Sequence, residues 1–186
     1  MPQPVSAGED YFSALDAPRA FAQDAKALER RFFEISRALH PDRFSTASPQ
    51  ARAASLERMS FLNDAYRTLR NRDELHDYVL EQAGFKSSGA SAKGGSIPLE
   101  LAEGWFELQD SLMEDPENAT PRLEAFVLEV AAYREKALKE ISDLETSIDL
   151  SAPDAVERLR ELHEKAQALG YVRSLERDLR NRRKAS

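Results

Sequence analysis

The amino-acid sequence predicts an all-α fold. Apolar residues recur at helical spacing through most of its 186 positions, and no stretch shows the alternation of a strand. Cap residues stand where helices would begin, and at Ser48-Pro49 and Thr120-Pro121 the cap is followed by a proline suited to the first helical position. Hydrophobic residues make up 41% of the chain, enough for modest cores and too many for wholesale disorder.

Residues 1–9 contain Pro and Gly and are expected to be disordered. Asp24 is the expected cap of the first long helix, its carboxylate accepting from free first-turn amides. Behind it Leu28, Phe32, Ile35 and Leu39 share one helical face. Pro41 ends that helix, because the residue before a proline is pushed out of the α region. Residues 40–48 read as a loop. The helix after Ser48 turns Ala54, Met59, Leu62, Ala65, Tyr66 and Leu69 toward a core, Asn71-Arg72-Asp73 breaks it, and a shorter helix runs to Gly84. The stretch 86–96 is a Gly/Ser linker and marks a domain boundary. It separates a small helical domain over 10–85 from a second domain over 97–184. There, three periodic segments begin at Pro98, at Thr120 and near Ser151-Ala152-Pro153, and short connections predict an antiparallel three-helix bundle.

Lys and Arg total 26 against 33 Asp and Glu, a net charge of −7, so nonspecific binding to nucleic acid or anionic lipid is disfavoured. With no cysteine, the chain has no disulfide, thiolate metal site or cysteine nucleophile. The three histidines, His40, His76 and His163, are far apart, so no metal is expected; His163 is expected to be exposed on the last helix. No phosphate-cradling Gly-rich loop or nucleophile elbow occurs, and the chain is read as having no active site and no cofactor. No signal peptide or membrane-spanning run is recognised, and the location is read as cytoplasmic.

One tripeptide carries chemistry. His40-Pro41-Asp42 follows an amphipathic helix directly; Asp10-Tyr11-Phe12 precedes that helix, and a second helix with Asn63-Asp64-Ala65-Tyr66-Arg67-Thr68-Leu69 follows the tripeptide. Pro41 stiffens the turn by fixing its φ, and Asp42 is a short acceptor suited to bidentate pairing with an arginine. Lys26, Arg30 and Arg37 share one face of the preceding helix, with Arg31 beside it and Arg43 after the tripeptide. Together these residues resemble a J domain, the module that stimulates ATP hydrolysis by DnaK-type chaperones. The resemblance implies an antiparallel hairpin with the His-Pro-Asp turn at its tip. It also implies that His40, Pro41, Asp42, Lys26, Arg30, Arg31, Arg37 and Arg43 face the chaperone.

From Asp10 to about Arg182 the chain resembles the HscB family of J-domain co-chaperones of iron–sulfur cluster assembly. Tyr78-Val79-Leu80 before Gly84-Phe85, and Phe106-Glu107-Leu108 with Asp110 and Leu112, extend the match. That resemblance implies an IscU-type scaffold protein and a DnaK/HscA-type chaperone as partners, in a monomer or weak dimer. It places scaffold binding on the first bundle helix, at Glu103, Phe106, Glu107, Asp110 and Glu114. Glu100, Glu103, Glu107, Asp110 and Glu114 form an acidic stripe there, while Leu101, Trp105, Leu108 and Leu112 form an apolar one. Phe106 and Met113 fall between the faces. The chain departs from the family pattern at Ala102, Glu103 and Gly104, where larger residues are usual. A general J-domain protein that holds unfolded clients is the alternative reading, and a structural coiled coil a third.

Overall fold

In the computed structural model the residues described are 5, 6, 8–85 and 97–185, so the Gly/Ser segment 86–96 and most of the N-terminal stretch 1–9 lie outside them. The described residues are helical with no strand. The helices are α1 (Tyr11–Ala14), α2 (Ala25–Leu39), α3 (Pro49–Arg70), α4 (Arg72–Gln82), α5 (Leu99–Glu114), α6 (Thr120–Ser147) and α7 (Ala155–Ala185). They fall into two compact units, one taking the chain up to Gly84 together with Ile148–Ala155, the other Phe85–Ser147 with Val156 onward.

In the first unit, local chemistry sets the helix ends. Asp10 caps α1 in a capping box with Ser13, and its carboxylate also pairs with Arg19. The Asp24 carboxylate accepts from the amides of Lys26 and Ala27 at the start of α2. Ser48 caps α3, with Pro49 at the first helical position. Asn71 ends α3 and caps α4, so the break is a single residue. The core gathers Phe12, Leu15, Leu28, Leu62, Ala65, Leu69, Leu75 and Leu80. Tyr11 stacks on Tyr78 with ring centroids 4.5 Å apart, and its amide donates to the Tyr78 hydroxyl at 3.0 Å, which ties α1 to α4. Phe32 of α2 stacks on Tyr66 of α3 at 4.5 Å.

In the second unit, Leu101 and Leu108 of α5, Leu123, Phe126 and Val130 of α6, and Val172, Leu175 and Leu179 of α7 close one bundle core, with Trp105 and Leu112 packed against it. Lys165 and Glu140 bridge α7 and α6 at 2.7 Å. Their hydrogen bond pulls the carboxyl below and pushes the ammonium above their ordinary values.

Several boundaries differ from expectation. Residues 41–44 form a 3-10 turn rather than open loop. Thr120 is the first residue of α6 rather than its cap. The last helix starts at Ala155, just past Ser151-Ala152-Pro153, because the Ala152 amide donates to the Asp149 carbonyl and the Ala155 amide to the Ala152 carbonyl, closing two turns first. His163 is half-buried rather than exposed, its ring stacked on Phe85 at 5.2 Å.

Candidate functional site

Two surfaces collect the residues singled out in the sequence. The first is the tip of the α2–α3 hairpin. Helix α2 stops at Leu39, His40 leaves the α region at φ −56° and ψ 130°, and Pro41 opens the 3-10 turn. The Asp42 amide donates to His40 Nδ1 at 3.3 Å, and the Arg43 amide to the His40 carbonyl at 3.0 Å. His40 Nδ1 also lies 3.4 Å from Asp42 Oδ2. The histidine thus closes the turn while the aspartate side chain stays 89% exposed. The turn is anchored from below: the buried Ser55 hydroxyl of α3 donates to the Leu39 carbonyl at 2.6 Å, satisfying an acceptor that the end of α2 leaves open. Arg43 reaches back to the Arg37 carbonyl at 3.4 Å.

The basic residues are not equivalent. Lys26, Arg30 and Arg37 are exposed and make no ion pair among the described residues. Arg31 pairs with Asp16 at 2.8 Å and lies 3.7 Å from Glu34, so its charge is already partly answered within the chain.

The second surface is the outer face of α5. Glu100, Glu103, Glu107, Asp110 and Glu114 are all exposed, while Leu101 and Leu108 are buried. Phe106 is 63% exposed, which places it outside the bundle core. Leu99 and Met113, seven residues to either side, are 87% and 79% exposed, so the three form one apolar ridge along the helix. By helical geometry Glu103 and Asp110 run along one side of the ridge, with Glu107 and Glu114 in a row beyond. The sequence reading missed Leu99 and did not place Met113 in the site. The signal that finds them is the seven-residue repeat of large apolar residues outside the buried stripe.

Glu107 stands apart from the other carboxylates. Arg122 of α6 approaches it at 3.0 Å, contacts Glu129 at 2.8 Å and donates to the Gly104 carbonyl at 2.8 Å. A Cβ at Gly104 would lie 2.1 Å from Glu129 Oε2, 2.8 Å from Arg122 Nη2 and 2.9 Å from the buried Phe126 ring. The glycine is therefore what lets the guanidinium lie against α5, and it accounts for the departure noted at that position.

Among the described residues no group of three or more His, Asp or Glu side chains is placed to hold a metal ion, and no helix is long and apolar enough to cross a membrane. No family model matches the chain. Over 155 residues it is 30% identical to the co-chaperone protein HscB homolog of Aliivibrio salmonicida, covering 81% of this chain and 89% of that one. Over 111 residues it is 33% identical to the homolog of Bordetella petrii, covering 59% of this chain and 65% of that protein. The crystal structure of human co-chaperone protein HscB superposes with a TM-score of 0.58 at 23% identity, over 97% of this chain and 85% of that one, a likeness of fold.

Proposed function

The chain belongs to the HscB co-chaperone family, and from that premise we propose that it stimulates ATP hydrolysis by a DnaK/HscA-type chaperone and delivers an IscU-type scaffold protein to it, promoting iron–sulfur cluster assembly and transfer. The observation that carries this reading is the exposed Asp42 carboxylate on a turn closed by His40 and anchored through Ser55. A carboxylate held on a stiff turn loses little freedom when an arginine of the ATPase meets it, and such charge-assisted pairs are among the stronger hydrogen bonds. Lys26, Arg30 and Arg37, whose side chains make no ion pair among the described residues, would meet an acidic surface on the chaperone and speed encounter. Arg31 contributes less, since Asp16 and Glu34 already answer it.

On α5, the ridge of Leu99, Phe106 and Met113 beside Glu103, Asp110 and Glu114 supports capture of a folded partner. Three large apolar side chains on one rigid helix make a compact anchor, and a few such residues carry most of the energy of an interface. Glu107 would act together with Arg122 rather than as a free carboxylate. The division over 10–85 and 97–184 would give each task its own domain.

Single-turnover ATP hydrolysis by a DnaK/HscA-type chaperone, with and without this chain, tests the reading. Asp42→Asn is expected to abolish stimulation with the fold intact, since loss of one partner of a desolvated charge pair costs about 2–5 kcal/mol. Undiminished stimulation by that variant would overturn the assignment of the turn. Capture of many unrelated unfolded chains, with no saturable binding of the scaffold, would favour a general client-holding role.

A further inference from the structure

Neither surface uses the groove between α6 and α7. Val127, Val130 and Ala131 from α6 and Leu179 from α7 line an apolar floor within a groove of about 200 Å³. Apolar cavities of about 150 Å³ hold a benzene ring, so the space suits one large aliphatic or aromatic side chain. Glu176, Arg180 and Arg183 form the remaining wall. Glu176 already has a cation, Arg134 Nε at 3.5 Å. Arg180 and Arg183 are exposed and make no ion pair among the described residues. Arg173 and Arg177, also exposed, add positive charge within two turns of Arg180 along the same helix.

This concentration of arginine is out of keeping with a chain of net charge −7. Cations near a helix C-terminus do complement its dipole, but that effect fades within the last turn, and Arg173, Arg177 and Arg180 lie earlier than that in a helix ending at Ala185. Glu176 is engaged by Arg134, so the groove presents an uncompensated positive rim around an apolar floor.

We propose that this groove docks an acidic peptide segment of a partner protein, one carrying a single large apolar side chain flanked by carboxylates. The apolar side chain sits on Val127, Val130, Ala131 and Leu179, and the carboxylates pair with Arg180 and Arg183, whose planar forks suit bidentate contact. The site shares no residue with the hairpin tip or the α5 ridge, so a partner bound there is recruited in addition to the chaperone and the scaffold.

The test uses the full chain and a fluorescein-labelled twelve-residue peptide holding one phenylalanine between pairs of glutamates, read by fluorescence polarisation. A second peptide replaces every glutamate by glutamine. The acidic peptide is expected to bind at least tenfold more tightly than the neutral one, with affinity falling as salt is added. Arg180→Glu with Arg183→Glu should weaken it at least tenfold, about 1.4 kcal/mol. Ala131→Leu, which fills the floor without changing charge, should weaken it by a similar factor. Melting curves check that the variants fold, and Arg180→Gln with Arg183→Gln replaces the reversal should the latter unfold. Equal affinity for the two peptides, no saturable binding at millimolar peptide, or indifference to either protein variant would overturn the proposal. A single-stranded oligonucleotide or an anionic vesicle that competes as well as the acidic peptide would overturn it too, by showing a general anion surface. So would sedimentation showing a dimer that the arginine reversal dissociates, since a second copy would then occupy the groove.

Discussion

At Gly104 one missing methyl group decides how α5 meets α6. Arg122 and Glu129 could swing away from an added Cβ, being ends of flexible side chains, but Phe126 is fully buried and cannot. Gly104→Ala is therefore expected to lower the melting temperature by the equivalent of about 1–3 kcal/mol, the usual cost of overpacking, and to loosen Arg122 from Glu107. Alanine's higher helix propensity, worth up to about 1 kcal/mol, offsets only part of this. A melting temperature equal to wild type would show that the contact relaxes freely. At Asp10 burial raises the carboxyl's pKa, but the Ser13 amide and hydroxyl and the Arg19 guanidinium outweigh it, leaving the group below 3.8. A carboxyl depressed in the fold stabilises most above its unfolded pKa, and the benefit disappears as pH falls through the folded value. Asp10→Asn keeps a capping oxygen but not the charge. Its stability deficit in denaturant titrations should be full at neutral pH and shrink steadily below about pH 4. A deficit independent of pH would assign the loss to geometry instead.

Among the elements, α2 shows what a sequence can and cannot reveal. Its start at Asp24 and its end before Pro41 were legible because both depend on chemistry within a few residues. The Ser48 cap of α3 was legible for the same reason. At α7 local chemistry gave only the neighbourhood of the start: turns closed from Asp149 to Ala155 put the first helical residue just past Ser151-Ala152-Pro153. The stripes of α5 follow from helical period alone, but Phe106 sits at the border between them, and only the packed bundle shows it to be exposed. Contacts between helices were out of reach. Nothing in local spacing ties Arg122 to Glu107, or Arg31 to Asp16, since each pair is fifteen residues apart and joins different elements. The basic face of α2 was legible as a pattern; which of its members are unengaged was not. Arg37→Glu should weaken chaperone association more than Arg31→Glu, because only Arg31 has carboxylates at hand. Both losses should shrink at high salt, where exposed charges are screened within about 3 Å at 1 M. Equal, salt-independent losses would mean that the face acts through shape rather than charge.

For the molecule as a whole, the proposed role requires that two tasks reside on one chain. Asp42 and Phe106 belong to different compact units, and both are exposed, so each can be changed without touching a core. Asp42→Asn should lose ATPase stimulation and bind the scaffold as wild type does. Phe106→Ala with Met113→Ala should lose at least tenfold in scaffold affinity, about 1.4 kcal/mol, while still stimulating the chaperone in the scaffold's absence. Its melting temperature should hold, since neither side chain lies in the bundle core. The decisive experiment mixes the two variants. A linked pair of sites presents its second partner at an effective concentration that can reach millimolar, whereas separate chains meet only at their bulk concentration. At micromolar protein, the mixture should therefore fail to restore scaffold-dependent stimulation of ATP hydrolysis, although every surface is present in solution. Restoration by the mixture would show that the two activities act in sequence through diffusion, and the adaptor role would fall even with both binding sites correctly placed.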